Sequence, residues 1–257
     1  MADLSSVQLL VLAMSALMAG MVDAIVGGGG LIQIPALFST LPHTASATLL
    51  GTNKLAGIWG TGAAAVGFSR KVRIHLAVAL PAAGAAFCLS FLGAYLVTHV
   101  PGTYFRKLLP FILLAVAIYT FQKKQFGVTH EPLHHGRKVM ALAGLTGAGI
   151  GFYDGFFGPG TGSFLVFAFV RVFGFDFLNA SATAKLVNVA CNLAALLWFG
   201  ASGHLLWQLG LLMAVCNICG SLIGMRLAVK YGSGFVRKIF LVVVIVLIVK
   251  TGYDAFL

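Results

Sequence analysis

Charge is what this chain has least of. Only 9% of its 257 residues are Asp, Glu, Lys or Arg, and 60% are apolar. A soluble domain carries about a quarter charged residues, so there is too little polar surface here to face water. Mean hydropathy is +0.99, which fits a chain whose solvent is lipid. Acids are scarcer still: 6 Asp plus Glu stand against 17 Lys plus Arg, a net charge of +11. In a soluble protein that excess would suggest nucleic acid. Here the basic residues cluster between apolar runs, where a membrane protein meets anionic lipid headgroups. Lipid is the expected partner and nucleic acid is not.

Chemical motifs are missing too. The sequence has no GxSxG and no plausible triad, so it offers no enzyme constellation. Its glycine runs do not match GxxxxGK[ST] and lie in no strand–helix alternation, which removes a nucleotide site. The four cysteines, Cys88, Cys191, Cys216 and Cys219, lie inside apolar stretches. Cys216 and Cys219 have CxxC spacing without histidine or acidic neighbours, so neither a metal nor a cofactor is expected. His130, His134 and His135 have no rigid ligand set beside them. Residues 1–20 lack a basic n-region, so the first apolar run reads as a retained membrane segment.

What remains is a series of apolar runs. Val7–Val26 ends in Gly27, Gly28, Gly29 and Gly30, and a short piece, Leu31–Phe38 with Pro35, follows. At about 1.5 Å per residue that piece cannot span a bilayer. Ala45–Phe68, Ile74–Val97 and Tyr104–Phe121 complete a first half. Beyond a polar stretch, Val139–Phe157 ends in Gly158, Pro159, Gly160, Thr161 and Gly162. A short piece, Ser163–Phe173, precedes Phe177–Phe199, Leu205–Val229 and Phe235–Val249.

The second half repeats the first at an offset of 131 residues, the separation of Asp23 from Asp154, Gly27 from Gly158 and Lys54 from Lys185. The expected fold is therefore an all-α polytopic membrane protein of about eight transmembrane helices. Two homologous four-helix halves make it up, each with a glycine-rich break and a short interrupted segment after its first helix. The divisions are a first repeat over 1–125, a polar linker over 126–138 and a second repeat over 139–257. Duplicated halves recur in secondary transporters, whose sites form where the halves meet. Both termini are expected inside, although basic residues fall on both sides of an eight-span arrangement.

Lys54 and Lys185 lie within apolar runs rather than at their edges. A lysine at bilayer depth persists mostly where it faces protein or a wet cavity. The alternative is snorkelling, since each lies near the start of its run. Unwound backbone in a membrane is tolerated where it lines a cavity. The short segments beyond Gly28, Gly29 and Gly30 and beyond Gly160, Thr161 and Gly162 would point amides and a positive dipole end at an anion. Ser163, Thr161, Gln33, Asn53 and Thr52 could add neutral donors. Asn188 and Asn192 follow Lys185 on one helix face and line a path or bond neighbouring helices. Asp23 and Asp154 stand just before the breaks. Two roles are open to them: a structural one, capping amides or balancing a lysine, and proton coupling.

Two strings carry a resemblance to a known family: Asp23 to Leu31 with Pro35 and Thr52-Asn53-Lys54, then Gly151 to Ser163 with Thr183-Ala184-Lys185 and Asn188. They resemble the sulfite exporter TauE/SafE family, also called the 4-toluenesulfonate uptake permease family. The second string is most similar to a branch of bacterial inner-membrane proteins described as probable membrane transporter proteins. The resemblance implies secondary transport of small sulfur-containing anions, such as a sulfonate, sulfoacetate, sulfite or thiosulfate, in either direction. It also implies a multi-pass protein of the bacterial inner membrane. Ala184 stands where the first half has Asn53, so the two lysines do not have identical neighbours. Protons as coupling ion and a second copy of the chain are further candidate partners. A non-transporting structural or assembly membrane protein is the alternative, with its lysines paired internally. A channel would need a continuous polar lining, which the Phe-rich stretches interrupt.

Overall fold

The computed structural model describes residues 4–100 and 136–256. The expected span Tyr104–Phe121, and the linker as far as residue 135, lie outside the described residues. Within them are eight α-helices and no strand: α1 Ser6–Val26, α2 Gly30–Thr40, α3 Ser46–Ser69, α4 Leu76–Thr98, α5 Arg137–Phe156, α6 Thr161–Phe173, α7 Phe177–Ala201 and α8 Trp207–Phe256. Five segments are long and apolar enough to cross a bilayer: α1, α4, α5, α7 and Trp207–Val236 of α8. The described residues are thus all-helical, and the chain is multi-pass.

Two of the remaining helices, α2 and α6, are 11 and 13 residues long and too short to span. Length is not what limits α3, which has 24 residues. It buries Thr52, Asn53, Lys54 and Thr61, and those side chains lower its hydropathy. The expected spans Leu205–Val229 and Phe235–Val249 fall in one element, α8. Gly232, at φ 70° and ψ −169°, is non-helical there, so α8 is two helices joined across a kink.

Polarity is distributed the opposite way to that of a water-soluble protein. Val7, Leu145 and Val215 are 70%, 72% and 62% exposed, whereas Thr52, Ser90, Ser181, Thr183 and Lys185 are fully buried. An outer surface of apolar side chains around a polar interior is stable only against lipid.

Local sequence sets the helix ends. Ser5 caps α1 through a capping box with Gln8. Asp176 caps α7 by accepting from the Leu178 and Asn179 amides at 2.9 and 3.0 Å. Its carboxylate also accepts from Ser233 Oγ at 2.7 Å, which ties the start of α7 to the region just after the α8 kink. Burial works against charge on Asp176, but bonds from the Asn179 amide, Ser233, the Asn179 side chain and the Leu178 amide outweigh it. Its carboxyl is held below the usual range.

Helix starts keep one spacing. Arg137, Thr161, Phe177 and Trp207 each come 131 positions after Ser6, Gly30, Ser46 and Leu76. The longest helix contacts cross between the two sets, with α1 along α8 and α4 along α5. Both pairs meet through backbone. A Cβ on Gly220 would lie 1.9 Å from the Leu17 carbonyl oxygen, and one on Gly155 1.9 Å from that of Ser90. Without a hydrophobic force between helices in lipid, such close packing is a main source of association.

The two glycine breaks touch. Gly27 and Gly28 have φ 75° and 96°, and Gly158 and Gly160 have φ 85° and 83°, conformations that favour glycine. A Cβ on Gly27 would lie 2.1 Å from the carbonyl carbon of Gly162, and one on Gly162 would lie 2.6 Å from Cα of Gly27. No side chain fits between them. Ser163 Oγ donates to the Gly27 carbonyl at 3.0 Å and fastens the contact.

Candidate functional site

Where the breaks meet, the structure forms a cavity of about 40 Å3. One water needs about 10–15 Å3 by that measure, so the space suits about three waters or one compact anion. Its wall brings together most of the residues singled out in the sequence: Gly28, Gly29, Gly30, Gln33, Asn53 and Lys54 from one half of the chain, and Thr161, Gly162, Asn188 and Asn192 from the other. Asp23 and Asp154 also line it.

Four candidates lie off the wall. Thr52 Oγ1 donates to the Thr48 carbonyl at 2.7 Å and accepts from the Leu206 amide at 3.1 Å, so it ties α3 to the loop before α8. Ser163 bonds the Gly27 carbonyl. Gly160 forms the left-handed turn that opens α6. Lys185 is fully buried and does not reach the cavity.

The lysines and aspartates pair crosswise. Lys54 of α3 donates to Asp154 of α5. Lys185 of α7 lies 3.0 Å from Asp23 Oδ2 of α1 and also donates to the Asp23 carbonyl oxygen. Both ammonium groups therefore point inward rather than snorkelling to headgroups. Asp23 faces Lys185 and accepts the Gly29 amide at 3.5 Å. Thr61 adds a third bond to it at 3.2 Å.

Identical residue types have unlike surroundings here. The last turn of α1 leaves carbonyls without intrahelical donors, and α6 and α7 supply them. Ser181 Oγ donates to the Ile25 carbonyl at 2.9 Å and Ser163 to that of Gly27, while Lys185 adds a second bond to the Asp23 carbonyl, which already accepts the Gly27 amide at 2.8 Å. Lys185 thus acts as part of a seal around the first break. Lys54 has a carboxylate for a partner and the cavity beside it. The four charges sum to zero, so a bound anion leaves the site one charge negative unless a proton accompanies it.

Neither short helix has a side-chain N-cap, and both begin at the cavity wall. Their positive dipole ends converge there. Among the described residues no group of three or more His, Cys, Asp or Glu could hold a metal ion. Sequence reasoning missed Asn217 of α8, which lines the cavity with Gly57, Thr61 and Gly158. An asparagine within a long apolar run was the available signal. Position 86, its equivalent at the 131-residue offset, is alanine, so the repeat did not pick it out.

Long apolar helices, two broken segments meeting inside the bundle and a small polar cavity between them describe a polytopic membrane transporter. The family model described as sulfite exporter TauE/SafE matches residues 12–251, and the chain belongs to that family. Among similar proteins is "Probable membrane transporter protein ORF9" of a Sinorhizobium species, 38% identical over 99% of this chain and 96% of its own length. "Probable membrane transporter protein YfcA" of Escherichia coli K12 is 35% identical over 93% of this chain and 88% of its own length. A "Probable membrane transporter protein" of Haemophilus influenzae is 36% identical over 92% and 91%. No solved structure matches the chain.

Proposed function

We propose that this chain is a secondary transporter of small sulfur-containing anions in the bacterial inner membrane, with the anion bound in the cavity where the two breaks meet. The observation that carries the proposal is Lys54, a buried cation at the wall of a cavity that two helix N-termini also face. The space beside Lys54 is on the scale of a sulfite or sulfonate group. The neutral charge sum favours protons as the coupling ion, with Asp154 as the carboxylate that takes one up when an anion occupies Lys54.

The chain is further read as two duplicated halves, 1–125 and 139–257, joined by a polar linker over 126–138. Support comes from the constant 131-residue spacing of helix starts and the crossed ion pairs. Two clefts add to it, of about 650 Å3 beside Thr40–Thr44 and 710 Å3 beside Phe173 and Phe175, which recur at equivalent places. The test is a melting-temperature screen of purified protein against sulfite, thiosulfate, sulfoacetate, taurine and carboxylate isosteres, followed by flux in vesicles. Stabilisation by sulfur oxyanions and a pH-gradient-driven flux are expected. A protein that responds to none of them is not this transporter.

A further inference from the structure

Among the described residues, three buried side-chain atoms have no hydrogen-bond partner: Gln33 Nε2, Ser46 Oγ and Thr183 Oγ1. Of these residues only Gln33 lines the cavity, and it is 1% exposed. A buried donor left unpaired is costly, so a fold that keeps one at a polar cavity has a use for it.

The orientation of that amide follows from a chain of bonds that starts at the backbone. The Ala16 carbonyl on α1 can only accept. It takes a bond from Asn217 Nδ2 at 3.1 Å, which makes the nitrogen side of Asn217 the side facing α1. The same nitrogen bonds Gln33 Oε1 at 3.1 Å. Gln33 is thereby committed: its oxygen is used on Asn217, and its Nε2–H2 is left over. On the other side, Asn217 Oδ1 sits where a Cβ on Gly60 would be, 1.9 Å away. Gly60 provides the room that lets Asn217 lie in this orientation.

We propose that Asn217 is a positioning residue that fixes the Gln33 amide as a hydrogen-bond donor to the ligand of this cavity. The ligand it fits is an oxyanion that accepts hydrogen bonds, held between Gln33 and Lys54. The proposal rests on the reading of the cavity as the transport site. A ligand that only donates finds its Gln33 contact pointing the wrong way, and a site built for hydrogen bonding discriminates strongly against the wrong partner.

Gln33→Glu tests this, because one carboxylate oxygen still accepts from Asn217 while the other replaces Nε2. Ionised, it repels an oxyanion; protonated, it donates an O–H in place of the amide. Sulfite and sulfoacetate binding is measured from pH 5 to pH 8, with guanidinium as the donor-only probe, and each variant is compared with wild type at the same pH. The expected deficit is about tenfold or more at pH 8 and closes towards pH 5. A residue that does not face the anion would give a deficit that does not vary with pH. Asn217→Asp should reverse the relay and weaken oxyanion binding at pH 8, and Gly60→Ala, which displaces Asn217, should do the same; melting curves without ligand check that each is folded. Wild-type oxyanion binding together with a pH-independent Gln33→Glu deficit, or unchanged affinity in Asn217→Asp, overturns the relay and leaves the transport site standing. Preference of the wild type for guanidinium, or binding of no oxyanion at any pH, overturns both.

Discussion

Lys185 lies 3.0 Å from Asp23, a residue 162 positions earlier in the chain, and its ammonium group also caps the Asp23 carbonyl. Lys54 reaches across the bundle in the opposite sense, to Asp154. The pairs join α7 to α1 and α3 to α5, so each lysine is balanced by a carboxylate at least 100 positions away in the chain.

Removing one partner of a buried pair leaves an unpaired charge, which costs about 3–5 kcal/mol. Lys185→Ala should therefore lower the melting temperature sharply in detergent, and adding Asp23→Asn should recover part of the loss. Lys185→Ala with an unchanged melting curve would show that the seal around the first break does not hold the fold.

Proton coupling has a definite sign. If one proton enters with each anion, anion affinity falls by about tenfold for each unit rise in pH. Asp154→Asn should make anion affinity flat with pH and uncouple flux from a pH gradient. Titrations of wild type and variant from pH 5 to pH 8 decide it, and equal slopes would remove Asp154 from the coupling role.

A different pH effect belongs to Asp176. Its carboxyl is held below the usual range, so its contribution is full above the unfolded value of about 3.9. That contribution is lost as pH falls through the lower folded value. Asp176→Ala should cost about 1 kcal/mol at pH 7 as a lost N-cap. The difference from wild type should shrink in acid, as thermal melts at pH 7 and pH 3 would show.

Backbone contact between the breaks leaves no space for a methyl group. Gly27→Ala meets both a positive φ of 75° and Gly162 backbone at 2.1 Å, so folded protein should be largely lost. Gly62→Ala has nothing within 4 Å and should be tolerated. Size-exclusion profiles of the two variants make the comparison.

Much of the helical framework was legible because lipid imposes one rule on every exposed face. The apolar runs around α1, α4, α5 and α7 declared themselves by length, and glycine clusters marked where helices end. Less could be read about rotation. Where a helix is apolar on nearly all sides, periodicity does not say which face turns inward, so Lys54 and Lys185 looked equivalent although only one meets the cavity. The crossed pairing depends on α1 packing along α8 and α4 along α5, contacts between residues far apart in the chain. Asn217 was hidden for a related reason: its importance comes from Ala16 and Gln33, which approach it only in the folded bundle. The two helices of α8 follow one another without a loop, because Gly232 alone, at a positive φ, interrupts the helical backbone between them.

The central claim is that an anion binds at Lys54. It is tested most directly by equilibrium binding of sulfite and sulfoacetate to the Lys54→Ala/Asp154→Ala double variant, which keeps the buried charge balanced. The predicted result is a folded protein with a near-wild-type melting curve and no measurable affinity for either anion. A folded double variant that binds them as tightly as wild type would contradict the account.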